Sequence, residues 1–467
     1  MQMDLSPQLR NEIWEWLIPQ LEQHYANPKN VAVAPPLHQS EIRDFVRLPT
    51  ETESLSPKEA LNHVLTGLNN YLVHTSHPAY FGLFNPRASF AGILADVLTA
   101  LYNPQMAAWS HAPFAAEVEQ FMIEQIGQKM GYAVNSIDGN FTSGGQEANL
   151  TAVLCALTHH FPKIGYTGIR QLDKQPVLYC SEESHHSVMR AAMVTGIGLD
   201  FVRKISTTET SEISLSALEE QINADIANGL HPCLLVACMG ATGTGAIDPI
   251  DGLADIAQKY QLWLHADGAY GGALALSETH KKYIKGIERA DSITFDAHKW
   301  LSVPMGAGMF ITKHTSILSA TFRIFADYMP KETMAEEIID PFAHSIQWSR
   351  RFIGLKVYLS WLFYGWKGWE ELIDEQMRKG DFLKEKLMEK GWVLKNHSPL
   401  PIACFMPAEK VEDTYPHETV QKVIRDGKAW ISVYSVQKKP TIRACVTNYL
   451  TEETDIQDLV NTLETVR

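Results

Sequence analysis

The run Asp291-Ser292-Ile293-Thr294-Phe295-Asp296-Ala297-His298-Lys299-Trp300 ends an apolar, strand-like stretch with a lysine set between a histidine and a tryptophan. Lysine is rarely buried without a partner. Held in a desolvated pocket, its ammonium form is disfavoured, and the free amine can form a Schiff base with an aldehyde. The same lysine at an exposed strand end would be an ordinary surface cation, and this segment by itself fits both readings.

Four other segments carry compatible chemistry. Phe141-Thr142-Ser143-Gly144-Gly145-Gln146-Glu147-Ala148-Asn149-Leu150 is a glycine-bearing turn that runs into a helix expected over 148–157. A helix start offers free N–H groups and partial positive charge, and glycines let a phosphate approach the backbone. A plain loop-to-helix turn would look the same, and the segment lacks both GxGxxG and the GK[ST] of a P-loop. Trp263-Leu264-His265-Ala266-Asp267 places an acid at the C-terminal end of an apolar strand, where ligands of open α/β sheets bind. A buried carboxylate needs a cationic or protonated partner. A pyridine nitrogen would serve, and Asp267 would keep it protonated so that the ring draws electrons; otherwise Asp267 would cap the next turn. Ser181-Glu182-Glu183-Ser184-His185-His186-Ser187 offers His185 or His186 for stacking and proton transfer, unless it is a solvated loop. The loop from Cys238 to Pro249 carries Thr242 as a hydroxyl donor among small residues, unless it is a flexible connector. Taken together, these strand-end loops compose a phosphate cradle, an imidazole, an acid and an amine. That set fits pyridoxal 5′-phosphate held on Lys299.

The elements that must position these groups are also legible. A chain of 467 residues suggests about two to three domains, and 45% hydrophobic with 20% charged residues suits a globular protein. With 40 basic against 54 acidic residues, a formal charge of −14 argues against nucleic acid and anionic membranes as partners. The start has no cationic stretch followed by an apolar block, and no uncharged apolar run reaches about 18 residues, so a cytoplasmic protein without a membrane span is expected. Six scattered cysteines without a CxxC pair read as reduced, buried thiols. No HExxH or paired Cys/His spacing appears, and no metal is expected. Leu9, Ile13, Trp14, Leu17, Ile18 and Leu21 recur at helical spacing and predict an amphipathic helix over 8–30. Residues 31–56 read as an extended connector, and Pro57 restarts a helix. Apolar runs at 177–180, 233–239, 262–266, 292–295 and 308–312 alternate with helical patterns, the mark of strands buried on both faces of a parallel or mixed sheet. Beyond 350, helices near 352–369, 370–390, 417–426 and 453–465 and strands near 392–394, 401–405, 430–435 and 441–447 outline a small α+β domain. The expected limits are 1–75 for an N-terminal helical segment, 76–350 for a large cofactor-binding α/β domain and 351–467 for the small domain.

In order and over roughly 75–450, these motifs resemble the group II pyridoxal-phosphate-dependent amino acid decarboxylases, which include aromatic amino acid, histidine, glutamate and cysteine sulfinate enzymes. His298-Lys299-Trp300 looks like the family's HKW, and the interval from Asp267 to Lys299 is similar too. The resemblance implies an aspartate aminotransferase-like large domain of PLP fold type I with a mostly parallel sheet, and a homodimer whose N-terminal segments wrap the partner. It makes Lys299 the Schiff-base lysine, Asp267 the partner of the pyridine nitrogen and His185, rather than His186, the stacking ring. Gly145 and Gln146 fall where the family binds phosphate, Thr242, Ala269, Asp296 and His298 fall at cofactor positions, and Arg443 matches an arginine that meets the substrate carboxylate. The reaction it implies is decarboxylation of an L-amino acid to the amine and CO2.

One departure bears on the outcome. Relatives carry a loop tyrosine shortly before an Arg pair. Residues 339–349, ahead of Arg350-Arg351, contain none, and the nearest earlier tyrosine is Tyr328. Tyr328, His344 or water could supply the proton. Phe342 keeps open an aldehyde synthase, in which oxygen intercepts the carbanion. Ala241 and Gly268 are smaller departures, standing where a Thr and an Ala are more usual. Phe81, Phe84 and Trp109 would suit an aromatic substrate or simply fill the core, whereas Arg87 or His111 would suit an acidic one. A catalytically inactive small-molecule-binding relative is the reading from another class.

Overall fold

The computed structural model describes residues 4–47, 54–84, 86–324, 338–409 and 411–467. Its larger sheet has seven strands: β1 (Asp138–Thr142), β2 (Pro176–Ser181), β3 (Val202–Ile205), β4 (His231–Cys238), β5 (Trp263–Asp267), β6 (Ser292–Asp296) and β7 (Gly308–Thr312). They lie in the order β1-β7-β6-β5-β4-β2-β3. Only β7 runs against its neighbours, β1 and β6; the other pairings are parallel. Every residue of β2, β5, β6 and β7 is buried, which is why these strands read as apolar runs without polar alternation. This is the mostly parallel α/β sheet expected of fold type I.

Because β7 is antiparallel to both β1 and β6, those two strands point the same way, and so do β5, β4 and β2. The turns that follow all five therefore open at one edge of the sheet. Gly308 sits opposite Thr142 on one side and Asp296 on the other. A Cβ there would lie 2.6 Å from the Gly144 Cα and 2.7 Å from Asp296 Oδ1, so the absence of a side chain lets the two loops close on each other.

The second sheet comprises β8 (Trp392–Leu394), β9 (Ile402–Pro407), β10 (Ser432–Val436) and β11 (Lys439–Cys445), antiparallel in the order β10-β11-β9-β8. Helices Tyr415–Arg425 and Glu453–Val466 cover it through Val420, Val423, Leu459 and Leu463. Residues 80–82 lie against this sheet, with Phe81 N–H donating to Trp430 O at 2.8 Å and Cys445 N–H to Phe81 O at 2.9 Å.

Several elements depart from expectation. Strands β1 and β3 were not anticipated, and the supposed connector holds a helix, Gln39–Arg47. The N-terminal helix stops at Ala26. The helix after 350 runs over Gly354–Glu389, broken at Gly365, whose φ is 63°. Helix Pro57–Asn70 starts where predicted, with a capping box between Ser56 and Glu59. Neither it nor Pro7–Ala26 buries a single residue, and Trp14, Ile18, Leu21, Val64 and Leu68 stand exposed. Among the described residues no helix is long and apolar enough to cross a membrane.

Candidate active site

Lys299 lies on a single helical turn, Ala297–Trp300, directly after β6. Its Nζ is 3.1 Å from Asp296 Oδ2, and its side chain keeps 23% exposure while the acid is buried. Trp300 stacks on Tyr270 with centroids 4.6 Å apart, and Tyr270 stacks on Phe84 at 3.8 Å. Those rings lock the turn on one side. On the other, His298 Nδ1 accepts from Ala307 N–H at 3.2 Å, and burial holds the imidazole below its usual pKa.

The loop after β1 faces this turn. A Cβ on Gly145 would fall 2.9 Å from Asp296 Oδ2 and 3.2 Å from the Ala269 Cβ, and one on Gly144 would touch the His298 ring at 3.4 Å. These contacts bring 145, 269, 296 and 298, four of the expected cofactor positions, together with Gly144. Helix Gly145–His160 begins here. Among the described residues, the main-chain N–H groups of Gly145 and Gln146 meet no acceptor, a ready anion site at a helix start. The Gln146 side chain accepts from Arg190 Nη1 at 3.2 Å.

Asp267 closes β5 and is 8% exposed. It accepts from Asn149 Nδ2 at 2.8 Å and from Ala269 N–H at 3.2 Å. Both donors are neutral, and among the described residues no cation pairs with it. Behind it runs a one-way chain of donors. Trp263 Nε1–H donates to Ser292 Oγ at 2.9 Å, which lies 2.8 Å from His265 Nδ1; His265 Nε2 lies 3.0 Å from Asn149 Oδ1. Thr294 Oγ1–H also donates to Asn149 Oδ1, at 2.7 Å. Since Asn149 Oδ1 only accepts, His265 carries its proton on Nε2. Burial lowers its pKa to about 4, so the ring stays neutral. Every donor thus points toward Asp267. Asn149 also donates to Ser187 Oγ at 2.8 Å, and Ser187 N–H donates to His185 Nδ1 at 3.2 Å. His185 is pushed below the usual histidine value by burial, against the pull of the Asp267 carboxylate, and it also feels Lys299 and Asp296. Ser187 and Asn149 thus join His185 to Asp267, and Gly145 stands against both Ala269, whose N–H reaches Asp267, and Asp296, the neighbour of Lys299.

These residues fit pyridoxal phosphate. A buried carboxylate supplied only with neutral donors lacks a cation, which a protonated ring nitrogen provides. Two free N–H groups suit a phosphate, and the partly exposed Lys299 amine, beside Asp296, suits an aldehyde.

Other expected residues fall elsewhere. Phe84 borders the site through its stack on Tyr270. Trp109 donates its N–H to Asp340 and its indole N–H to Glu117. His344 is buried between Asp138 Oδ1 (3.2 Å) and Ser319 Oγ (2.7 Å) at the opposite end of β1 from the cradle, which removes it as the proton donor within this chain. Tyr328 lies outside the described residues. Arg443 is 2% exposed and donates to main-chain carbonyls of Gly82, Thr242 and Gly243. Asn149 and His265 were missed as functional residues. The one signal for Asn149 was a polar residue among Ala148, Ala152 and Val153 on a buried helix face.

Fold and site together define a pyridoxal-phosphate-dependent carboxy-lyase. The pyridoxal-dependent decarboxylase conserved domain matches residues 46–406, and the chain belongs to that family. It is 30% identical over 454 residues to an aromatic-L-amino-acid decarboxylase of Bacillus atrophaeus, covering 96% of this chain and 93% of the relative. Mouse CSAD superposes with a TM-score of 0.87 at 26% identity, covering 93% of each chain. A 4-hydroxyphenylacetaldehyde synthase of Rhodiola rosea shares the fold at 24% identity, with a TM-score of 0.88 over 99% of this chain and 98% of its own.

Proposed function

We propose that this enzyme decarboxylates an aromatic L-amino acid to the amine and CO2. The observation that carries the reading is the convergence of Lys299, Asp267 and His185, with Asp267 fed by neutral donors alone. The aromatic choice is supported by the Phe84–Tyr270–Trp300 stack beside the lysine and by the Bacillus relative. Bound here, pyridoxal phosphate supplies a sink for the electron pair left on Cα as CO2 departs. Gly145 and Gln146 N–H groups and His298 would hold its phosphate. Lys299 Nζ would hold its aldehyde and yield to the substrate amine. Asp296, 3.1 Å away, steadies that amine. Asp267 would keep a proton on the ring nitrogen, and His185, its own proton on Nε2 because Nδ1 accepts from Ser187, would stack on the ring.

A second outcome keeps a specific motive. Phe342 packs against Trp348 at 4.7 Å and donates its N–H to Ala107 O, and described residues 338–350 contain no tyrosine. Twenty amino acids assayed for CO2, amine, aldehyde and peroxide decide the matter. Amine without peroxide from an aromatic substrate supports the proposal; aldehyde with peroxide and ammonia replaces it.

His185 adds a pH expectation. A base whose pKa is lowered gains its proton only at lower pH, so the acid limb of kcat/KM should lie below about 6.5. His185→Gln should lose that limb; an unchanged profile removes His185 from the proton balance.

We further propose that residues 1–75 pack on a second copy of the chain, the exposed Trp14, Ile18, Leu21, Val64 and Leu68 being covered there. Light scattering at micromolar concentration should give twice the chain mass; a monomer would discard this.

A further inference from the structure

The loop after β4 presents four successive main-chain carbonyls to the second sheet. Thr242 O accepts from Arg443 Nη2 at 2.7 Å and Gly243 O from Arg443 Nε at 3.0 Å. Thr244 O accepts from Asn396 Nδ2 at 2.8 Å, and Gly245 O from Ser398 Oγ at 2.7 Å. All these donors sit on β11 or between β8 and β9. Gly243 admits the Tyr434 ring of β10, since a Cβ there would lie 1.9 Å from it. Tyr434 OH then donates to Glu183 Oε2 at 2.9 Å, which also receives Thr244 Oγ1–H at 3.1 Å. Glu183 stands two residues before His185, so the second sheet grips both loops that flank the cofactor position.

Arg443 is the centre of this grip. Three of its five N–H groups go to carbonyls, the third to Gly82 O. Its guanidinium lies 5.3 Å from the centroid of Phe84, and only 2% of the residue is exposed. A side chain waiting for a substrate carboxylate would present its fork to the cavity. Buried carbonyls, by contrast, need donors.

We propose that Arg443 is a positioning residue that sets the Thr242 loop, and through it the cofactor, rather than the anchor of the substrate carboxylate. This rests on the decarboxylase reading above. The test compares wild-type holoenzyme with Arg443→Lys and Ser398→Ala, the latter outside the cofactor and substrate contacts. The readouts are KM for the amino acid, the inhibition constant of its amine, which has no carboxylate, the visible band of the bound cofactor and the dissociation constant of pyridoxal phosphate by fluorescence. Misplacing the loop should lower kcat by about tenfold to a hundredfold in Arg443→Lys. It should also weaken amino acid and amine by the same factor, shift the band and loosen the cofactor. Ser398→Ala should repeat the pattern more weakly. Should Arg443→Lys fail to fold, Ser398→Ala decides: no change in band or cofactor affinity overturns the proposal. A rise of about tenfold or more in KM for the amino acid alone, with amine affinity, kcat and band unchanged, makes Arg443 the carboxylate anchor. If the wild type forms no amine from any amino acid, the decarboxylase reading fails separately, and band and cofactor affinity still judge Arg443.

Discussion

Lys299→Ala is expected to lose turnover by about a thousandfold or more, on the scale of removing a nucleophile from a catalytic set, which is about 4 kcal/mol of barrier. The purified variant should also lack the yellow, borohydride-sensitive colour of cofactor held on a lysine. Among the described residues no neighbouring amine is free to substitute. Lys356, the next lysine at this edge, spends its ammonium on the carbonyls of Pro304, Met305 and Gly306, at 3.4, 2.9 and 3.3 Å. Those bonds brace the turn that follows Lys299 and leave Lys356 no freedom to enter the site. The fold should survive with a lowered melting temperature, because the buried Asp296 loses its nearest cation. A folded Lys299→Ala protein that still releases CO2 at the wild-type rate would remove the assignment.

The parts of this molecule that were legible in its sequence share one property: their meaning is local. Strands β2, β4, β5, β6 and β7 are apolar because both faces are covered, and chemistry-bearing residues stand where such runs stop. Ser56 and Glu59 announce a helix start within four residues. Strand β1 escaped because its residues, Asp-Gly-Asn-Phe-Thr, carry no apolar run. It is buried by its place between β7 and helix Pro113–Lys129, with Asp138 bonded to the distant His344. Helix Gln39–Arg47 escaped although Ile42, Phe45 and Val46 recur at helical spacing, because it is short and lies in a stretch rich in Pro and polar residues. At the site, residue type announced an amine, an acid and an imidazole. Hydrogen-bond partners, however, are chosen by sheet register: His265 meets Asn149 across 116 positions, and Arg443 meets Gly243 across 200. An arginine can donate to a carboxylate or to main-chain carbonyls, and only the fold shows which is within reach. The Arg pair behaves the same way. Arg350 forms a buried two-point pair with Glu119, whose Oε1 also accepts from Gly354 N–H at 3.0 Å. It therefore anchors the helix start after the loop rather than facing the site.

Asp267→Asn should separate catalysis from stability. The amide keeps the shape of the carboxylate but carries no charge to hold a proton on the ring nitrogen, so kcat should fall by about 10³-fold or more, as isosteric loss of charge does in other buried catalytic pairs. Stability of the cofactor-free protein should change little, for two opposing reasons. Neutralising a buried, cation-free carboxylate relieves a desolvation cost. Against that, the new NH2 group must face one of two donors, Asn149 Nδ2 or the Ala269 N–H, a loss of about 1–3 kcal/mol. Thermal melts without cofactor, run beside turnover of the reconstituted enzyme, read the two effects independently. Asn149→Ala is the companion measurement. It leaves the charge in place but removes the donor that joins Asp267 to Ser187, so a fall in kcat of about tenfold is expected, with a weaker melt. Equal turnover in Asp267→Asn and wild type would mean that the acid at the end of β5 does not face the reacting ring, and the donor chain behind it would then serve the core alone.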